Sequence, residues 1–132
     1  MENQSNVRAR RLRFESMIPE GFHTVTPRIV AEGAGQLVAF IKDVFGATGE
    51  VRHDRPSEIR IGDSLILISD AGLRNAMPAF LYVYVDDVDA TYKRATAAGA
   101  RVIEAPLDTP YGDRRCMIED GWGNTWQIAA RQ

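Results

Sequence analysis

With 132 residues, 45% of them hydrophobic and 26% charged, the chain fits one globular domain that can bury a sizeable core. Four of the 16 basic residues, Arg8, Arg10, Arg11 and Arg13, fall in the first 16 positions, so the body holds 12 basic against 16 acidic residues and is a poor match for nucleic acid. The lone Cys116 rules out an intramolecular disulfide and a multi-cysteine zinc cluster, and it suits a reducing cytoplasm. No apolar run approaches the roughly 18 residues of a membrane span, and the N-terminus lacks the apolar core of a signal peptide.

Residues 1–16 read as an Arg-rich extension whose sizeable apolar residues are Val7, Leu12 and Phe14. Two readings stand: a flexible tail, or a short helix that carries Leu12 and Phe14 onto the body or onto a second subunit. The domain proper covers 17–132. A strand is expected over 22–31, from the β-prone Thr24, Val25, Thr26, Ile29 and Val30, with Pro27 marking an edge or bulge. After the break at Gly33 to Gly35, a helix carries Leu37, Val38, Phe40, Ile41, Val44 and Phe45 at spacings of three and four, and Gly46 stops it. Three short strands are expected next, over 50–53, 58–61 and 64–69, with Gly62-Asp63 as the turn between the last two.

A linker over 71–78, with Gly72, Asn75 and Pro78, separates two halves. The order then repeats. An aromatic and β-branched strand, Phe80 to Val85, runs through Asp86 or Asp87 as N-cap into a helix whose Val88, Tyr92 and Ala95 share a face and which ends at Gly99. Strands over 101–104, 114–118 and 125–129 follow, with a loop containing Pro106 and Pro110 and a turn over 120–124. Module 1 covers about 20–70 and module 2 about 79–130; the helix-ending Phe45-Gly46-Ala47 and Ala98-Gly99-Ala100 sit at corresponding points of the two, a spacing that suits duplication of one unit.

The segments Ile18-Pro19-Glu20-Gly21-Phe22-His23-Thr24-Val25-Thr26-Pro27, Ile61-Gly62-Asp63-Ser64, Val85-Asp86-Asp87-Val88-Asp89 and Gly123-Asn124-Thr125-Trp126 resemble, in that order, the vicinal oxygen chelate superfamily. That superfamily includes glyoxalase I, bleomycin-resistance proteins and extradiol dioxygenases, and within it the chain is most similar to small glyoxalase-like, demethylubiquinone-methyltransferase-like domains. The resemblance spans about 18–130. It implies an α+β fold: two βαβββ modules forming an open, curled cup of mixed sheet with helices on the convex face, usually in a homodimer with a small-molecule ligand in the concavity. Methyl transfer is rejected, since no glycine-rich methyltransferase loop is present.

Metal-dependent members of that superfamily use His, Glu or Gln at equivalent cup positions. Here those positions fall at Thr26, Pro56 or Ser57, Phe80 and Gln127, so no metal or other cofactor is expected; His23 joins Gln127 only under a shifted register. Strand alternation places Arg28, Glu58, Arg60, Tyr82, Tyr84 and Gln127 on the concave face. Arginines offer planar recognition of carboxylate or phosphate, and tyrosines an apolar ring with a polar tip. Trp122 is expected to cap the cavity or a neighbouring subunit, and Trp126 to lie in the core. Asp113 and Arg114, in a Tyr111-Gly112-Asp113-Arg114-Arg115 stretch similar to a rim loop of the family, are candidates for which a turn role is preferred. Cys116 is read as packing in a strand, and Lys93-Arg94 as a solvated helix face.

Three functions compete on these residues: metal-independent binding or sequestration of a small anionic or aromatic ligand in a dimeric cup; a metal-independent lyase or isomerase with Glu58 as base; and a divalent-metal glyoxalase-type lyase or dioxygenase. Whether any reaction is catalysed stays open.

Overall fold

The computed structural model describes residues 3–132. The first element, α1 (Gln4–Ser16), is helical, which corrects the preferred reading of a flexible tail. Asn3 caps it by accepting from the Asn6 amide, at 2.8 Å. None of its residues is buried, and its apolar residues Val7, Leu12 and Phe14 are all exposed.

Module 1 opens with β1 (Arg28–Ala31), which is shorter than the expected strand. Positive φ at Gly21 and the Phe22 amide bonded back to the Pro19 carbonyl turn the preceding chain, and 22–27 runs irregularly. Helix α2 (Ala34–Phe45) ends as expected at Gly46, whose left-handed φ of 66° lets its amide bond the Lys42 carbonyl. Gly33 offers no side chain to cap the other end; Asp70 Oδ1 accepts the Ala34 amide instead, at 3.1 Å.

The stretch 50–53 is not a strand. Gly49, at φ 133°, sits so close to the Glu58 carbonyl that a Cβ would collide with it, and the Arg52 amide donates to the Ser57 hydroxyl at 2.8 Å in place of a ladder partner. What remains of the pairing is a single bridge between Thr48 and Arg60. Strands β2 (Ser57–Ile61) and β3 (Ser64–Asp70) form the hairpin across Gly62-Asp63, and β1 joins β3 in parallel, giving the order β1-β3-β2.

Module 2 has the fuller sheet, in order β4-β7-β6-β5, from β4 (Phe80–Tyr84), β5 (Arg101–Asp108), β6 (Asp113–Glu119) and β7 (Thr125–Arg131). Strand β5 continues through Pro106, with register shifts on either side of Glu104 absorbing the proline. Asp87 is the N-cap of α3 (Val88–Ala97), accepting the Ala90 amide at 3.0 Å. The fold is thus α+β, with two mixed sheets that do not close.

The core lies where the helix-covered faces of both sheets meet. Leu37, Ile41 and Val44 of α2, Ala95 of α3, and Ile59, Ile68, Ile118, Ile128 and Trp126 of the sheets are fully buried in one cluster. The Phe45 and Trp126 rings lie 5.0 Å apart. Arg94, expected on a solvated face, instead ties the modules together: its Nε donates to the Val44 carbonyl at 3.1 Å, satisfying an orphan acceptor in the last turn of α2. Cys116 is buried opposite Ile128, and burial pushes its thiol up to about 11, which keeps it un-ionised and unreactive.

Candidate functional site

With the helices packed on one side, the other face of each sheet is open, and strand pairing fixes which side chains occupy it. On the second sheet Tyr82 pairs with Gln127 and Gln127 with Met117; Tyr84 pairs with Ala129 and Ala129 with Arg115; Asp113 pairs with Arg131. These residues share the concave face, while Leu81, Val83, Ile128 and Cys116 point to the helices. Trp126 alternates with Gln127 into the core, as its position predicts.

The polar centre of this face is Asp113. Its carboxylate accepts from Tyr82 Oη at 2.8 Å, from Tyr84 Oη at 3.4 Å and from Arg131 Nε at 2.6 Å, and the residue is 1% exposed. Its turn duties are performed by its backbone, which exchanges hydrogen bonds with Thr109. The preferred turn role for its side chain is therefore corrected. The Tyr82 phenol, then Arg131, hold this carboxyl below the usual carboxylate range, while desolvation and the bond to Asp113 push the Tyr82 phenol up.

Beside this centre Arg115 bonds Glu104, with Nε to Oε1 at 3.0 Å, and its Nη1 donates to Tyr111 Oη at 2.7 Å. The Tyr82 and Tyr84 rings, 5.3 Å apart and tilted by 56°, are bonded to Asp113 at their hydroxyl ends and are exposed residues. Phe80 and Tyr84 are 66% and 60% exposed. Glu104, Tyr111, Asp113, Arg115 and Arg131 were not among the predicted ligand-binding residues. Alternation along 113–117 was the available signal, since it puts Asp113, Arg115 and Met117 on one side. Arg114, the neighbouring candidate, points the other way: it grips Asp89 through Nε and Nη2 at 2.8 and 3.0 Å and Asp108 at 3.0 Å, tying α3 and β5 to β6.

The first sheet's open face carries Arg28, Glu58 and Arg60, with Leu65, Leu67 and Ser69 between them. Arg28 Nε donates to Ser69 Oγ at 3.0 Å and Arg60 Nη2 to the Gly21 carbonyl at 3.4 Å. Glu58 is exposed, and among the described residues no ion pair joins it to either arginine. The six predicted cup residues therefore fall into two groups, Arg28, Glu58 and Arg60 on one sheet and Tyr82, Tyr84 and Gln127 on the other. Trp122 belongs to neither: its ring packs against Phe40 of α2, centroids 6.0 Å apart, and the turn holding it is organised by Asp120.

The residues present do not fit the divalent metal of metal-dependent relatives. Gln127 has Tyr82 and Met117 as lateral neighbours, His23 lies in the irregular stretch before β1, and among the described residues no three His, Cys, Asp or Glu side chains converge.

A family model described as Glyoxalase/Bleomycin resistance protein/Dioxygenase superfamily matches residues 22–128. An uncharacterized protein of Mycobacterium bovis is 27% identical over 122 residues, covering 79% of this chain and 80% of that one. Among solved structures, TioX from Micromonospora sp. ML1 superposes with a TM-score of 0.69 at 21% identity, covering 83% of this chain and 97% of its own. The fosfomycin resistance protein FosX from Mesorhizobium loti does so at 0.64 and 16%, covering 87% and 95%. At these identities the structural likeness is one of fold.

Proposed function

This chain belongs to the Glyoxalase/Bleomycin resistance protein/Dioxygenase superfamily, and on that premise we propose that it binds a small anionic or aromatic organic ligand, without a metal, in a cup completed by a second copy of itself. The observation that carries this reading is the pair of Tyr82 and Tyr84 rings, anchored by Asp113 yet exposed. Anchored rings are pre-organised, so a flat apolar ligand gains contact without the cost of ordering them. Gln127 and Arg115 on the same face supply polar orientation.

A second copy follows from the way the chain spends its apolar surface. Helices α2 and α3 meet within the chain, so each open face stands as half of a concavity. Among the described residues the outer edge of β4 has no strand beside it, and it borders a crevice of about 510 Å³ that reaches Phe45 and Trp126 and is lined on its other side by Ile61, Asp63 and Ile66. An unpaired edge beside exposed aromatics favours association. In this arrangement Arg28, Glu58 and Arg60 of one copy face the tyrosines of the other, and the arginines meet the ligand's anionic group. Trp122 contributes by packing the turn beside α2. The cytoplasm is the compartment that suits the lone thiol.

Binding is preferred to catalysis because neither carboxylate is set up as a base. Asp113 is held ionised by three donors, and Glu58 is exposed and has no hydrogen-bond or ion-pair partner among the described residues to orient it.

A thermal-shift screen of small aromatic acids against the metal-free protein tests the reading. Tyr84→Ala should weaken any hit about tenfold, while Glu58→Gln should bind as the parent does and neither should turn the ligand over. Turnover lost in Glu58→Gln would favour the lyase or isomerase. Stoichiometric metal in protein purified without added metal, or a monomer by light scattering, would refute the metal-free or dimeric part.

A further inference from the structure

Ten arginines lie in the body of the chain, and eight have side-chain partners. Arg52, Arg101, Arg114, Arg115 and Arg131 pair with carboxylates, Arg60 and Arg94 donate to carbonyls, and Arg28 donates through Nε to Ser69. The two that make no side-chain hydrogen bond or ion pair among the described residues, Arg55 and Arg74, line the same hollow, and Arg28 lines it with them. This pocket of about 310 Å³ lies at the end of β1 and β3, between the 53–56 loop and the 70–74 loop.

Its acids are already committed or outnumbered. Asp70 gives one oxygen to the α2 amide of Ala34 and the other to His53 Nδ1, at 3.1 and 3.0 Å, which holds its carboxyl below the usual range. Asp54 is the other carboxylate in the lining. Three guanidiniums against these two acids leave the hollow positive in a chain whose formal net charge is −2. Like charges in excess of their counterions repel, and a bound anion removes that cost.

We propose that this pocket is a binding site for a tetrahedral oxyanion, phosphoryl or sulfonyl, held by Arg28, Arg55 and Arg74 with the Ser69 hydroxyl fixing Arg28. Three forks present more donors than the two oxygens of a carboxylate can accept, whereas a tetrahedral group offers three or four. The site takes Arg28 and Ser69 from the open face of the first sheet, whereas Arg55 and Arg74 lie outside the proposed cup, so the pair tested below reports on this pocket and not on the tyrosine face.

The test is titration with inorganic phosphate, read by thermal shift and by ³¹P line broadening, against sodium chloride at matched ionic strength and against acetate. The parent should respond saturably to phosphate and not to the other two. Arg55→Ala/Arg74→Ala should bind phosphate at least about tenfold more weakly; both residues are exposed and their side chains have no hydrogen bond or ion pair among the described residues, so the variant should keep the parent's circular dichroism. Arg101→Ala, which removes an exposed arginine elsewhere, should respond as the parent does. A phosphate response no larger than chloride's, or one that survives in the double variant, overturns the site. An equal response to acetate overturns the tetrahedral class.

Discussion

Both modules lay a strand, a helix and an antiparallel hairpin in the same order, yet their open faces treat polar groups in opposite ways. On the second sheet each charged or phenolic group is bonded to another: Tyr82, Tyr84 and Arg131 to Asp113, and Tyr111 and Glu104 to Arg115. On the first, Arg28 and Arg60 hold single bonds to a hydroxyl and a carbonyl, and Glu58 has none among the described residues. The turns differ likewise. The first hairpin closes on exposed Gly62-Asp63, whereas buried Asp120 accepts from the amides of Trp122 and Asn124, from Asn124 Nδ2 and from Trp126 Nε1. The second platform is thus tied by side-chain networks, while on the first Arg28 and Arg60 each hold a single bond.

The largest break in this contrast is expected at the turns. Asp120→Ala strands four donors, three of them on buried residues, and should cost about 4 kcal/mol in urea unfolding. Asp63→Ala, at an exposed hairpin tip, should stay within about 0.5 kcal/mol. Next come the faces: Asp113→Ala should lower Tm by about 5–10 °C, and Glu58→Ala by less than about 2 °C. Equal losses would erase the distinction between a tied and an untied face.

The pH dependence sharpens the same point. Asp113 has a folded pKa below its unfolded value, so its contribution is present above about pH 4 and is lost as pH falls through the folded value. The stability gap between the parent and Asp113→Asn should therefore narrow in acid. Tyr82 is shifted the other way, so its contribution is complete below about pH 10 and is lost as pH rises through the folded value. In an ultraviolet titration the Tyr82 phenol should ionise above the ordinary tyrosine range, and in Asp113→Ala it should move only part of the way back, since burial is the largest cause of the shift. The smallest effect is expected from deleting residues 1–16: α1 buries nothing, so Tm should move by less than about 1 °C.

What could be read from sequence was what is decided locally. Gly46 stops α2 because the left-handed C-cap is a property of one residue, and Asp87 caps α3 within a span of three. Alternation put Tyr82, Tyr84 and Gln127 on one face and Trp126 on the other because a strand has only two sides. The Asp113 centre was not legible, since its donors come from β4 and β7 and their convergence depends on the order β4-β7-β6. The same holds for Arg94, whose acceptor lies on the other module's helix. The missing strand at 50–53 failed for a local reason that composition hides: the close approach of Gly49 to the Glu58 carbonyl, with Ser57 taking the Arg52 amide.

The parallel pairing that opens each module also bears on the order in which the molecule assembles. Arg28 meets Leu67 (positions 28 and 67) and Phe80 meets Thr125 (positions 80 and 125), so β1 and β4 must wait for the last strand of their own module before they have a partner. Helices and hairpins close over short loops and form early; these pairings close over long ones and form late. During folding, β4 with its row of Phe80, Tyr82 and Tyr84 is thus, with β1, a late strand to be sheltered. Refolding yield should depend on protein concentration through that strand, and a charge placed on its outer edge should relieve the dependence without touching the native core.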